Sequence, residues 1–170
     1  MRLVSACLTA GVIFFSISAF AQSAQTAKLL QKFDNWQVFL HETPTEKVCF
    51  AATQPISMDP KTAKRDPVFF YLTTWAKDGV RNEISVKLGY TQKPDSTPMI
   101  IIGNEQFALY PKGDKAFLHD PAQERKLLDA MKKGSTFMVK GTSQRGTATT
   151  DQYSLVGLSA AMTQLSTSCP

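Results

Sequence analysis

The sequence has few of the residues that most catalytic sites are built from. Its 170 residues contain two histidines and three cysteines. The histidines, His41 and His119, lie far apart, and there is no His-x-His or Cys-x-x-Cys pair. That removes the usual nitrogen and sulfur clusters for zinc or another transition metal, so no metal or cofactor is expected. The aspartates at 59, 66, 78 and 95 lack the spacing of a calcium loop. The chain also lacks any run of like charge. Its 19 basic and 14 acidic residues alternate, giving a net charge of +5. Such a chain adsorbs to acidic surfaces, but it has no concentrated basic stripe for a nucleic acid. Internal repeats and low-complexity tracts are absent, and no long apolar run occurs after the first twenty residues.

That first apolar run stands apart from the rest. Arg2 is followed by small and apolar residues to Phe20, and Ala19-Phe20-Ala21 has the small-x-small pattern of a signal peptidase site. Residues 1–21 therefore read as a cleavable signal peptide, which directs the chain to the periplasm, the cell surface or the medium. Cleavage leaves about 150 residues, enough for one domain with a real core, and no transmembrane segment. It also removes Cys7. The two remaining cysteines, Cys49 and Cys169, most simply form one disulfide in an oxidising compartment, closing a loop of about 120 residues.

Residues 22–31 are small and polar and read as a flexible lead-in. From 32 to 170, short strand signals recur between Pro, Gly, Asn and Asp. Strands are expected at 36–41, 48–53, 68–72, 84–90, 99–102, 107–109, 116–119, 136–141 and 153–158. Residues 68–72 (Val-Phe-Phe-Tyr-Leu) are apolar on both parities, which predicts a strand covered on both faces. The aromatic cluster of Phe69, Phe70, Tyr71 and Trp75 is therefore assigned to the core. Residues 55–67 read as a loop. One helix is clear: Asp120 caps, Pro121 opens, Gln123 completes a capping box, Leu127, Leu128 and Met131 form the apolar stripe, and Gly134 ends it. A second short helix is expected at 159–165. The fold class is mainly β: a single-domain antiparallel β-sandwich or partly closed barrel with one or two short helices near the C-terminus.

The order of several short motifs resembles the invasion associated locus B proteins. These motifs are Phe33-x-x-Trp36-x-Val38, Cys49 followed by Phe50-Ala51-Ala52-Thr53-Gln54, Val86-x-x-Gly89-Tyr90, Ala130-Met131-Lys132-x-Gly134, Gly141-x-Ser143-x-x-Gly146, Asp151-x-Tyr153-Ser154-Leu155-x-Gly157 and Cys169. The resemblance implies an exported β-rich protein of alphaproteobacteria, in the periplasm or at the surface. In pathogens such proteins are associated with entry into host cells. It implies no established catalytic activity and no cofactor. Many relatives carry more cysteines than the single mature pair found here.

Residues 140–155 (KGTSQRGTATTDQYSL) concentrate hydroxyls, an arginine and an aspartate between two apolar segments. Ser143, Asp151 and His41 or His119 supply the residue types of a hydrolytic triad. However, Gly141-x-Ser143-x-x-Gly146 has one residue too many for a nucleophile elbow, and Thr147, Thr149 and Thr150 favour strand over helix. The stretch reads better as a hairpin with an odd-numbered loop and Gly146 at or near its tip. Matching apolar residues pairs Phe137 with Leu155 and Val139 with Tyr153. No catalytic residue is assigned. Lys126, Lys132, Lys133, Lys140 and Arg145 form a candidate contact surface on the helix and the hairpin. The expected partner is a protein or an envelope or host-surface component, bound without catalysis. The alternative is a small exported hydrolase using Ser143 or a pair of carboxylates.

Overall fold

The computed structural model describes residues 26–170; the expected signal peptide lies outside the described residues. Two antiparallel sheets face each other, and no closed barrel forms. The seven-stranded sheet contains β1 (Lys28–Phe33), β2 (Trp36–Glu42), β3 (Lys47–Thr53), β5 (Phe69–Trp75), β6 (Val80–Lys87), β10 (Lys115–Phe117) and β9 (Tyr110–Lys112), in that spatial order. The five-stranded sheet runs β4 (Ser57–Asp59), β12 (Ala148–Ser154), β11 (Thr136–Thr142), β7 (Met99–Ile102) and β8 (Glu105–Ala108). The helices are α1 (Pro121–Lys133) and α2 (Leu158–Ser168). The mainly β sandwich with two helices agrees with the sequence reading.

Alternation builds the core. Val38, Ala51, Leu72 and Ile84 are cross-strand neighbours on the inner face of the larger sheet, and all are fully buried. The five-stranded sheet answers with Ile100, Phe137, Val139 and Tyr153. Phe137 and Tyr153 stack with ring centroids 4.9 Å apart, and Phe70 meets Phe137 edge-on at 4.8 Å. Trp36 meets Phe70 edge-on at 6.0 Å, and its indole N–H donates to the Ser154 carbonyl across the sandwich (3.1 Å). One aromatic cluster therefore joins both layers; its indole N–H is satisfied, while the buried Tyr153 hydroxyl makes no hydrogen bond to another described residue.

The helices close what the smaller sheet leaves open. α2 lies against β1, β2 and β3, burying Leu158, Ala161 and Leu165. Cys169, at its end, is bonded to Cys49 on β3. Asp120 caps α1 by accepting from the Ala122 N–H (2.8 Å). Glu124 reaches from α1 to accept the Ile84 N–H of β6 (3.1 Å), and burial raises its carboxyl pKa above the ordinary value. Gly134 ends α1 in extended rather than left-handed backbone. A Cβ there would lie 3.1 Å from the side-chain tips of both Ile102 and Leu155, so a larger residue would make those side chains give way by a few tenths of an ångström.

Several sequence expectations need correction. Residues 28–31 of the expected lead-in are ordered as part of β1, which pairs with β2 through a two-residue turn at Asp34 and Asn35. A bulge between Leu29 and Gln31 breaks the alternation that would have signalled a strand. The expected loop at 55–67 contains β4, which adds to β12. The strand expected at 153–158 instead ends at Ser154, and α2 begins at Leu158. The β11–β12 loop is odd-numbered and Gly146 has φ +85°, as expected. The register, however, is displaced by two residues. Phe137 pairs with Tyr153 and Val139 with Asp151, not with Leu155 and Tyr153. A shift of two preserves which face each side chain takes.

The disulfide generates a direct prediction. Cys49 and Cys169 are both fully buried and 120 residues apart. Replacing both with serine should cost roughly 2–5 kcal/mol. Denaturant unfolding of the variant against the oxidised protein measures the loss. Equal midpoints would show that α2 stays docked without the bond.

Candidate functional site

The hydroxyl-rich stretch folds as a structural hairpin. Within its loop, the Ser143 N–H donates to the Thr147 carbonyl (2.9 Å) and the Gly146 N–H to the Ser143 carbonyl (2.8 Å). The Ser143 hydroxyl accepts the Thr147 N–H (3.2 Å). Ser143 is thus buried and engaged in shaping the turn.

Thr149, Asp151 and Tyr153 all point inward from β12, and all three are buried. Burying a carboxylate needs a partner, and Arg65 supplies it from the segment between β4 and β5. The Arg65 guanidinium donates two hydrogen bonds to the two carboxylate oxygens of Asp151, one at 2.9 Å from Nη1 to Oδ2 and the other from Nη2 to Oδ1. The two side chains are 4% and 0% exposed. Burial pushes the Asp151 pKa up, while the hydrogen bonds and charge of Arg65 pull against it. Arg65 also lies against the Tyr90 ring, 5.9 Å from its centroid, and the Tyr90 and Thr149 hydroxyls are 2.6 Å apart. Asp66 donates its N–H to the Gly89 carbonyl (2.9 Å). Gly89 has φ +73°, and a Cβ there would sit 2.2 Å from the Asp66 carbonyl oxygen, so only glycine fits. A groove of about 560 Å³ opens outside these residues, edged by Lys64, Arg65, Tyr90, Ser143 and Arg145.

The histidines lie elsewhere. His41 is on the outer face of β2, 4.0 Å from Glu46, and His119 stands 4.9 Å from the Tyr110 ring. Each lines a groove separate from that of Ser143. Ser143, Asp151 and a histidine are therefore not brought together. The candidate contact residues are all exposed but do not share one place. Lys126, Lys132 and Lys133 lie on α1, with Lys126 3.5 Å from Glu105 and Lys132 3.5 Å from Asp129. Lys140 faces outward from β11. Arg145 is beyond the far end of that strand, a seven-residue element about 20 Å long, where it reaches the Lys64 carbonyl (3.4 Å).

The largest departure from the sequence reading is on the outer face of the seven-stranded sheet. No second layer covers that face among the described residues. Phe39, Phe50, Phe69, Tyr71, Trp75 and Phe117 all point there and are partly exposed. Only Phe70 of the four aromatics assigned to the core lies in it. Phe39 stacks on Phe50 across β2 and β3 (5.1 Å), Phe69 on Tyr71 (5.7 Å), and Phe50 meets Tyr71 edge-on (6.1 Å). On the same face Val48, Ala52, Thr73 and Ser85 are buried. The Trp75 indole N–H lies 3.4 Å from Glu83, and a groove of about 450 Å³ runs between Phe50, Tyr71, Trp75 and Phe117. An apolar strand reads the same whether its second face meets another layer or the solvent. The signal that could have separated them is composition, since bulky rings alternate here with aliphatic inward residues.

Fold and surface together define a class: a two-sheet antiparallel sandwich with two helices and a partly exposed aromatic outer face. Within that class, the profile of the invasion associated locus B (IalB) protein family matches residues 36–166, and the chain belongs to that family. No curated protein and no solved structure matches the chain. The family is not a known enzyme family.

The buried ion pair makes the hairpin testable. Arg65→Met leaves Asp151 buried without its partner and should cost about 3–5 kcal/mol. Arg65→Met combined with Asp151→Leu should recover most of that loss. Chemical denaturation of the three proteins measures both effects; an unaltered single variant would show that the pair does not hold the hairpin.

Proposed function

We propose that this chain is an exported protein of the periplasm or cell surface that acts by binding a partner and not by catalysis. The observation that carries this reading is the uncovered aromatic face. Exposed aromatic clusters of this kind, rimmed by polar residues, are features of contact surfaces. The partner is a protein, or a component of the envelope or of a host-cell surface. Family membership favours a contribution to host-cell entry or to envelope fitness. A buried disulfide agrees with an oxidising compartment. The hydrolase alternative gains nothing from the site, because Asp151 is committed to Arg65 and Ser143 to its turn.

Two measurements test the reading. Fractionation with intact-mass analysis should find the chain outside the cytoplasm and shortened at Ala21; a full-length cytoplasmic product would sink the export part. The Phe50→Ser/Tyr71→Ser variant should keep its fold, because both side chains are at the surface, and should lose the partners that the native protein captures from envelope or host-cell extracts. Unchanged capture by a folded variant would place binding elsewhere.

A further inference from the structure

We propose that the aromatic outer face of the seven-stranded sheet pairs with the same face of a second copy of this chain, around a two-fold axis lying in the plane of the face. The inference rests on the binding reading above and gives that surface a definite occupant.

Three observations lead to it. The first is the arrangement of the rings. Phe39 and Phe50 lie within 15° of parallel, and Phe69 and Tyr71 within 29°. Stacked in this way, the rings spend their flat faces on each other and present edges, with grooves between them. That is a poor platform for a flat sugar or base and a good one for the side chains of an opposing sheet.

The second is the distribution of charge. Lys87, Lys115 and Lys112 are direct cross-strand neighbours on β6, β10 and β9. Like charges directly opposite are unfavourable, and a single carboxylate, Asp114, comes within 3.9 Å of Lys87. Lys112 and Lys115 have no ion-pair partner among the described residues. Glu46 sits at the diagonally opposite corner, beyond the pairing of Glu42 with Lys47, and is exposed beside His41; Lys47, Lys77 and Asp78 line the adjoining groove, and Glu83 faces the groove between the two corners. A two-fold axis diagonal to the strands brings each lysine corner onto the partner's Glu46 corner. The match occurs twice, the aromatic centres meet, and the sheets cross nearly at right angles.

The third is area. Five strands at about 4.8 Å spacing and seven residues at about 3.3 Å rise give a face on the order of 500 Å² in plan. Side-chain relief brings that close to the roughly 800 Å² per partner of a standard interface.

Sedimentation velocity over a concentration series provides the test. The native protein is expected to dimerise. Lys112→Glu/Lys115→Glu alone and Glu46→Lys alone should each weaken self-association by about tenfold or more. Mixing the two variants should restore dimers, since their altered corners are complementary. Melting temperatures close to native would confirm that the surface changes leave the fold intact. A native protein that stays monomeric at its highest soluble concentration overturns the proposal, as does a dimer indifferent to both charge reversals. If the native protein is monomeric and Phe50→Ser/Tyr71→Ser still loses captured partners, pairing fails and the binding reading stands. If a charge-sensitive dimer forms and that variant captures the same partners, pairing holds and the face has no other occupant.

Discussion

The Arg65–Asp151 pair is the constraint from which much of this sandwich follows. A carboxylate is fully buried between two sheets and must be matched, or the strand that carries it would turn over. Arg65 matches it from a segment that has no other strong tie to β12. The match fixes that segment over the hairpin, next to β4, which pairs with β12 through its own backbone ladder. In the observed register, Phe137 pairs with Tyr153 and stacks on it. From there the aromatic cluster reaches Phe70 and Trp36, and the Trp36 indole closes the circuit on the Ser154 carbonyl. The hydroxyl-rich hairpin, which has the residue types of a hydrolytic site, is therefore mostly framework.

The fold class and most strand positions were legible because alternation is local. Ile84, Val86 and Leu88 announce an inward face without reference to any other part of the chain. The α1 helix was legible for the same reason: Asp120, Pro121 and Gly134 mark its ends within a short span. The partnership of Arg65 and Asp151 was not, because nothing near either residue names the other across 86 positions. Apolar matching set Val139 against Tyr153 and Phe137 against Leu155, and the expected register slid by two. Candidate site residues fared less evenly. The two cysteines were legible from their number, whereas the outer aromatics were misassigned, because apolar character says that a residue seeks cover and not what provides it.

Side-chain direction accounts for this division of labour. On β5, Phe70 and Leu72 support the interior, while Phe69 and Tyr71 on the same strand lie on the partly exposed outer face. The small residues beneath the outer rings, Ala52 and Ser85 among them, give those rings room to lie against one another. Buried and partly exposed side chains thus alternate along the same strands. Changes to the outer set can alter association while leaving the folding core untouched.

The edges of the larger sheet bear on what such a face can safely do. β1 carries Lys28 and Lys32 along its rim, and β9 is only three residues long, ends in Lys112 and contains Pro111, which brings no N–H. Either rim resists the addition of a further strand. Sideways growth into a continuous ribbon is blocked at both ends, while the flat of the sheet stays open. The larger sheet can therefore leave its aromatic flat partly exposed while neither of its rims offers an easy template for a further strand.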